Sequence, residues 1–223
     1  MDRFGVKPEL LQLYRELEAL QSAENVHLVI DMEIESDYPG WQTCRQEFLR
    51  TGNQFYRNFD YQSQAGPYTT SYLNYGNGTY AREYSGAGVV PNRDWERIQD
   101  GAAGEIPLLN LDWTRFELLE VEHREDGSTV ISLQGNLTPT KDTTYYEKTY
   151  EFHLNPDGKL TTQICSYHSS KDISDGFAQG TFEFRGRDTV YIQNTPKTEL
   201  TRRILEVTKE LLEYEVNGSK SGD

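Results

Sequence analysis

Between Val26 and Glu35 the chain alternates side chains with a period of two: Val26, Leu28, Ile30, Met32 and Ile34 are interleaved with His27, Val29, Asp31, Glu33 and Glu35. No other feature constrains the fold as strongly. A two-residue period sends successive side chains to opposite faces, so the segment reads as a long strand with one buried and one mostly wet face. The signature then returns almost to the C-terminus, each time behind a turn. Tyr38-Pro39-Gly40 leads into 41–50, Gly52-Asn53 reverses into 54–61, and Gly76-Asn77-Gly78 joins 69–75 to 79–84. Asn and Gly take positive φ at little cost, which suits them to tight hairpins. Further on, Glu125-Asp126-Gly127-Ser128 separates 116–124 from 129–135, and Asn155-Pro156-Asp157-Gly158 separates 145–154 from 159–168. A last, shorter pair is expected at 181–185 and 189–193. Tyr146, Tyr150, Phe152 and Leu154 are expected on one face of their strand, with Glu147, Glu151 and His153 on the other. The segment 85–111 contains Gly and Asp, with a short strand at 95–98; it is too long for an ordinary connection and is expected as a flap or rim.

Helical spacing occurs only at the two ends. Pro8 suits a first helical turn, and Leu10, Leu13, Tyr14, Leu17 and Leu20 make a stripe from 8 to 20. From Thr198, which with Thr195 is a candidate cap, Leu200, Ile204, Val207, Leu211 and Tyr214 make a second stripe that Leu205 and Leu212 widen. Hairpins adjacent in sequence with helices only at the ends predict an α+β fold. The expected architecture is a large curled antiparallel sheet of about ten strands, a half-barrel meander whose concave face the terminal amphipathic helices can cover. One domain is expected over 1–216, followed by a flexible tail at 217–223.

Composition narrows the setting. Only 35% of residues are hydrophobic, but fifteen Tyr and nine Phe supply large buriable surfaces. The aromatics recur along the chain, which argues against disorder outside the ends. A net charge of -14 with scattered Lys and Arg would repel nucleic acid and anionic membranes, so no nucleic-acid partner is expected. No apolar run is long enough to span a bilayer, and no basic stretch followed by an apolar one opens the chain. The chain is therefore expected either in the cytoplasm or outside it, with any signal or anchor lying before Met1.

Reactive groups are dispersed. Cys44 and Cys165 lack metal-ligand spacing, and His27, His123, His153 and His168 form no HExxH or HxH, so neither metal nor cofactor is expected. A Cys44–Cys165 disulfide would close a loop of about 120 residues and stabilise by roughly 4 to 5 kcal/mol, but only if their strands are neighbours; two separate thiols are the simpler expectation. Gly-x-Ser-x-Gly, a P-loop and a dinucleotide fingerprint are all missing from the sequence. Gly86-Ala87-Gly88 runs into Pro91 and reads as a loop. Cys165 and His168 are three apart on a strand and so point to opposite faces. His153 with Glu147 and Glu151 could make a weak cation site, though solvated alternation accounts for them. A non-enzymatic role is expected. A hydrolase would instead need a polar cleft gathering His123, His153 or His168 beside carboxylates.

The aromatic stock carries more information. Phe55, Tyr56, Phe59, Tyr61, Tyr68, Tyr72, Tyr75, Tyr80 and Tyr84 crowd into thirty residues. Core packing explains such a cluster, and so does an aromatic-lined groove for an acyl chain, a glycan or a peptide. If there is a groove, Phe55, Tyr56, Phe59, Tyr72, Tyr80 and Trp95 are its candidate ligand-binding residues.

The order of elements resembles the bacterial lipoprotein-carrier superfamily, of the LolA and LppX type. The likeness is carried by the helix-to-strand passage Leu17–Val26, the strand 26–35, and two motifs. One is Tyr75-Gly76-Asn77-Gly78-Thr79-Tyr80 followed by Trp95-Glu96-Arg97; the other is Phe152-His153-Leu154-Asn155-Pro156-Asp157-Gly158-Lys159-Leu160. It spans roughly residues 8–193, while the helix from Thr198 departs from the simplest form of that family. The resemblance implies an extracytoplasmic or cell-surface bacterial domain whose curved sheet binds a lipid, a lipoprotein acyl chain or another apolar ligand. An interaction or sensor ectodomain of a membrane-anchored regulator, docking a protein partner, is the alternative.

Overall fold

The computed structural model describes residues 7–86, 92–98, 104–108, 116–135, 137–174 and 178–218. Helix α1 (Pro8–Ser22) leads into β1 (Asn25–Glu35), β2 (Trp41–Thr51), β3 (Gln54–Ser63), β4 (Gly66–Asn74), β5 (Thr79–Tyr84) and β6 (Arg93–Ile98). Then follow β7 (Glu117–His123), β8 (Thr129–Gln134), β9 (Thr143–Leu154), β10 (Leu160–Ser174), β11 (Gln179–Ile192) and helix α2 (Lys197–Gly218). All eleven strands form one antiparallel sheet, in the order β6-β5-β4-β3-β2-β1-β11-β10-β9-β8-β7. The sheet is curled but not closed, as an α+β fold of this kind requires. It consists of two meanders joined at the centre, where β1 pairs with β11 from Leu28↔Ile192 to Glu35↔Arg185.

Local chemistry explains the boundaries. Pro8 occupies the first turn of α1, where its lack of an N–H costs nothing. At the other end of that helix the Arg50 guanidinium donates to the carbonyls of Ala23 and Gln21, partners that a helix C-terminus otherwise lacks. The β9–β10 turn is closed by Asn155, whose side-chain oxygen accepts from the Asp157 and Lys159 amides, with Gly158 at φ +75°.

Residues paired across an antiparallel ladder share a face, so the registers sort every side chain. The front face carries Leu28 and Ile30 of β1, Phe48 of β2, Phe55 of β3, Val190 of β11 and Phe152 of β9. The back face carries Leu49, Tyr56, Leu73 and Tyr80. On the front, α1 lays Leu13 and Leu17 against Ile131, Leu133, Tyr150, Phe152, Leu154 and Leu160. Beside them Val26, Leu28, Ile30, Phe48, Phe55 and Val190 form a second front cluster, reached by Ile106 and Leu108. On the back, α2 packs Leu200, Ile204 and Leu211 onto Leu49, Leu73, Tyr80 and Trp95. Burying each such side chain stabilises by about 1.5–3 kcal/mol. Phe48 and Leu49 are sequence neighbours and both fully buried, so β2 is covered on both faces.

Four expectations need correction. The terminal helices do not share a concave face; each covers one face of the sheet, because the residues they touch have opposite parity along the strands. The last strand pair is a single strand, β11, running unbroken through 186–188: Gly186 pairs with Ile34 on one side and Tyr167 on the other instead of turning. Tyr146 does not join Tyr150 and Phe152, since a bulge in β9 places both Tyr146 and Glu147 opposite the stretch from His168 to Ser169. The Tyr146 ring consequently lies on the back face, 4.9 Å from that of His168. Finally, α2 continues through Gly218, where a tail was expected from 217; residues 219–223 lie outside the described residues, as do 87–91, 99–103 and 109–111 of the expected flap.

Candidate functional site

The front face is not apolar along its whole length. Near α1 it packs against Leu13 and Leu17; toward the opposite strand ends it carries half-buried aromatics that, among the described residues, lie outside the clusters packed by α1 and α2. On the N-terminal meander these are Phe59, Tyr61, Tyr68 and Tyr72. Tyr61 stacks on Tyr68 across the β3–β4 ladder at 4.5 Å between centroids, and Phe59 stacks on Tyr61 at 5.7 Å. The Phe59 ring is flanked by Tyr72 edge-on at 6.1 Å and by the Arg57 guanidinium at 4.7 Å.

On the C-terminal meander the same face opens into a depression of about 520 Å³. Tyr38, Tyr145, Tyr167 and Phe184 supply its aromatic walls, with Lys171 and Asp172 among its polar lining. Each wall is fixed by its neighbours. Tyr38, from the β1–β2 turn, meets Phe182 edge-on at 5.4 Å and Phe184 at 6.2 Å. Its backbone is held because Ser36 Oγ accepts from the Tyr38 amide and donates to the Glu183 carbonyl. Tyr167 lies over Gly186, where any Cβ would run into its ring; a glycine in mid-strand is what lets that ring lie flat on the sheet. Across from Tyr167 stands Lys148, with its ammonium 4.8 Å from the Tyr145 ring centroid and 5.6 Å from that of Tyr150.

One cross-strand row beside this depression gathers unusual chemistry: Tyr150, Cys165, Asp188, Met32, Cys44, Tyr61 and Tyr68 are successive partners on the front face. Two strands, β11 and β1, separate the cysteines. At about 4.8 Å per strand this is far beyond the 4.4–6.8 Å Cα separation of a disulfide, and both thiols are free. Burial pushes the Cys44 thiol up to about 12 and the Cys165 thiol up to about 11, so neither supplies a thiolate at neutral pH. Burial likewise raises the Tyr61, Tyr150 and Tyr167 phenols. The Asp188 carboxyl is raised by burial, against the opposing pull of Lys148.

The six candidate residues do not converge. Phe59 and Tyr72 belong to the open front strip, while Phe55 is a core residue beside Phe48. Tyr56, Tyr80 and Trp95 face the back, against α2, with Tyr80 and Trp95 buried there. A single groove cannot be built from all six, because 55 and 56 are adjacent on a strand and must point apart. Tyr38, Tyr145, Tyr167, Phe184 and Lys148 were missed. They come from four distant segments, and only the register reveals that they meet.

The histidines are also apart. His27 bridges Thr195 and Glu47, His123 lies 3.4 Å from Glu9, His153 lies 3.6 Å from Glu151, and His168 pairs with Glu183. Each has its own carboxylate; His153 lines a polar depression of about 420 Å³ with Asp31, Glu33 and Arg187, and none of the other three histidines is among that lining. Among the described residues no group of three His, Cys, Asp or Glu could hold a metal ion, and no helix is long and apolar enough to cross a membrane. Compared with models of protein families and with curated proteins, the chain matches none.

Proposed function

We propose that this is a non-enzymatic binding domain that receives an apolar ligand in the aromatic depression of the front face. The observation that carries the reading is the depression itself: about 520 Å³, walled by Tyr38, Tyr145, Tyr167 and Phe184. Its size lies within the roughly 300–1,000 Å³ usual for small-molecule sites, and its aromatic walls, set beside polar and charged side chains that include Asp142, Lys171 and Asp172, suit a ligand with an apolar body. Gly186 supports the same reading, since it keeps the floor low by admitting the Tyr167 ring. The resemblance to lipoprotein carriers points in the same direction and is the sole support for a location outside the cytoplasm. The test uses a neutral fluorescent probe, N-phenyl-1-naphthylamine. Its emission should rise on binding, and Tyr167→Ala should weaken the binding severalfold. Tyr84→Ala, at an exposed position outside the depression, should not. Equal binding by the wild type and Tyr167→Ala, both shown folded by circular dichroism, would overturn the reading.

One observation favours a second reading, a protein-docking domain. Leu205, Leu212 and Val216 form an exposed seam on α2, next to Glu213 and Glu215. A basic amphipathic partner helix fits that combination. Leu212→Asp would abolish such docking while leaving the front-face probe signal unchanged.

A further inference from the structure

Resting on the ligand-binding reading of the front face, we propose that Lys148 is the head-group receptor of the depression and that the ligand it selects is a long-chain carboxylate amphiphile, such as a fatty acid. Lys148 lies on β9 directly opposite Tyr167 and next to Tyr145, two of the depression's walls. Its ammonium is held at 4.8 and 5.6 Å from the ring centroids of Tyr145 and Tyr150, a placement that fixes a cation without neutralising it.

Among the described residues Lys148 shares the lack of a carboxylate partner with other cations, Lys171 of the depression's own lining among them, and differs from Lys171 in being held over the Tyr145 and Tyr150 rings beside the depression. In a chain with 36 acidic and 22 basic residues, Arg45, Arg82, Arg93, Arg124, Lys159, Arg202 and Arg203 each sit within 4.0 Å of a carboxylate. Among the described residues Lys148 has no such partner. Asp188 is close enough to feel it, yet stands on the second strand over and makes no ion pair with it. Burial raises the Asp188 carboxyl, and Lys148 opposes that rise.

A ligand whose tail lies along Tyr167, Phe184 and Tyr38 would bring its head to the Tyr145 end, where Lys148 can donate charge-assisted hydrogen bonds to a carboxylate. An alkyl alcohol of equal length would bury the same tail and lack the charge. An alkylammonium would be repelled there and attracted to Asp188 instead.

The experiment titrates the full chain with dodecanoate, dodecan-1-ol and dodecyltrimethylammonium below their micelle concentrations, each displacing N-phenyl-1-naphthylamine. Dodecanoate should bind roughly tenfold tighter than the alcohol, and the ammonium weakest. Lys148→Met keeps the stem volume and should erase the preference for dodecanoate without changing the alcohol. Lys148→Arg should retain the preference, which guards against a folding defect in the methionine variant. Asp188→Asn removes the competing carboxyl and should tighten dodecanoate severalfold while leaving the alcohol unchanged. Equal binding of dodecanoate and dodecanol by the wild type would overturn the head-group assignment and leave the ligand face standing. So would a preference that survives Lys148→Met, or tighter binding of the ammonium. If none of the three displaces the probe, the ligand reading fails first and the assignment with it.

Discussion

The N-terminal helix covers strands from the C-terminal half of the chain, whereas the C-terminal helix covers strands from the N-terminal half, and the two lie on opposite faces of one sheet. They are also secured differently. The polar bonds of α1 are separate and go to several places: Gln12 donates to the Gly158 carbonyl at 3.1 Å, Lys159 reaches Glu16 at 3.1 Å, His123 lies 3.4 Å from Glu9, and Arg50 holds the C-terminal carbonyls. By contrast, α2 adds a half-buried network in which Arg203 and His27 both bond Glu47 and His27 also bonds Thr195. Arg82 bonds Glu210 further along the helix. The difference shows how a polar chain of low apolar content closes both faces. One helix is fastened by packing and scattered pairwise bonds, the other by packing together with a charge network rooted in the central strands β1 and β2.

Because each helix covers strands distant in sequence, neither half is expected to fold without the other. Phe152→Ala, in the buried cluster beneath α1, should cost about 3–5 kcal/mol, and Ile204→Ala, on the buried face of α2, about 2–4 kcal/mol. Both should shift one shared denaturant transition, seen at the same midpoint by tryptophan fluorescence and far-ultraviolet circular dichroism. Two separated transitions in either variant would break the comparison by showing that the halves unfold independently. The pairing of β1 with β11 supports coupling, since it ties residues 28–35 to 185–192 at the centre of the sheet. Such long-range pairing also predicts slow folding.

Gly186→Ala comes next in size. The new methyl would displace the Tyr167 ring, and overpacking of this kind costs about 1–3 kcal/mol. The effect should centre on the C-terminal meander, so hydrogen exchange should speed up in β10 and β11 before β3 and β4. Uniform acceleration across all strands would show instead that the two meanders share one local stability.

How much of this was legible in the sequence follows from what period and turns can encode. The strand at 26–35, the Asn155–Gly158 turn and both helical stripes declare themselves locally, and β1, α1 and most hairpins fall where the pattern puts them. Gly186 misled because glycine in sequence suggests a turn; here its role is to make room for Tyr167, a residue nineteen positions earlier. Tyr146 misled because a one-residue bulge inverts the parity of everything beyond it, and only the β10 partner shows that. The candidate site suffered most. Tyr38, Tyr145, Tyr167 and Phe184 are unremarkable individually, and their meeting depends on the central β1–β11 pairing, which no local signal in either strand announces.

The Glu47 network gives a pH-dependent way to sharpen the contrast between the helices. The His27 and Arg203 bonds hold the Glu47 carboxyl at about 2, below its usual 4.5 and against the upward push of burial. A lowered folded-state value stabilises wherever the unfolded carboxyl is ionised, and that contribution disappears as pH falls from about 4.5 through about 2. Glu47→Gln should therefore cost about 1–2 kcal/mol at pH 7 and progressively less as pH falls through that window. Chemical denaturation at pH 7, 4 and 3 measures it. A constant difference across the three would mean that the carboxylate charge contributes nothing and the hydrogen bonds alone secure α2.

The smallest expected effect lies on the other helix. Lys159 is 67% exposed while its partner Glu16 is 11% exposed, so the pair is screened on one side only. Exposed ion pairs contribute about 0–1 kcal/mol, and a lysine this free in solvent loses side-chain entropy on pairing. Glu16 also keeps the bond from Gln12 at 3.3 Å when the lysine is removed. Lys159→Met should thus change stability by less than about 1 kcal/mol, with half or more of that lost at 1 M salt, where the screening length falls to about 3 Å. A cost equal to that of Glu47→Gln would erase the distinction between the two helices, and would place Glu16 among the buried charges whose partner cannot be removed cheaply.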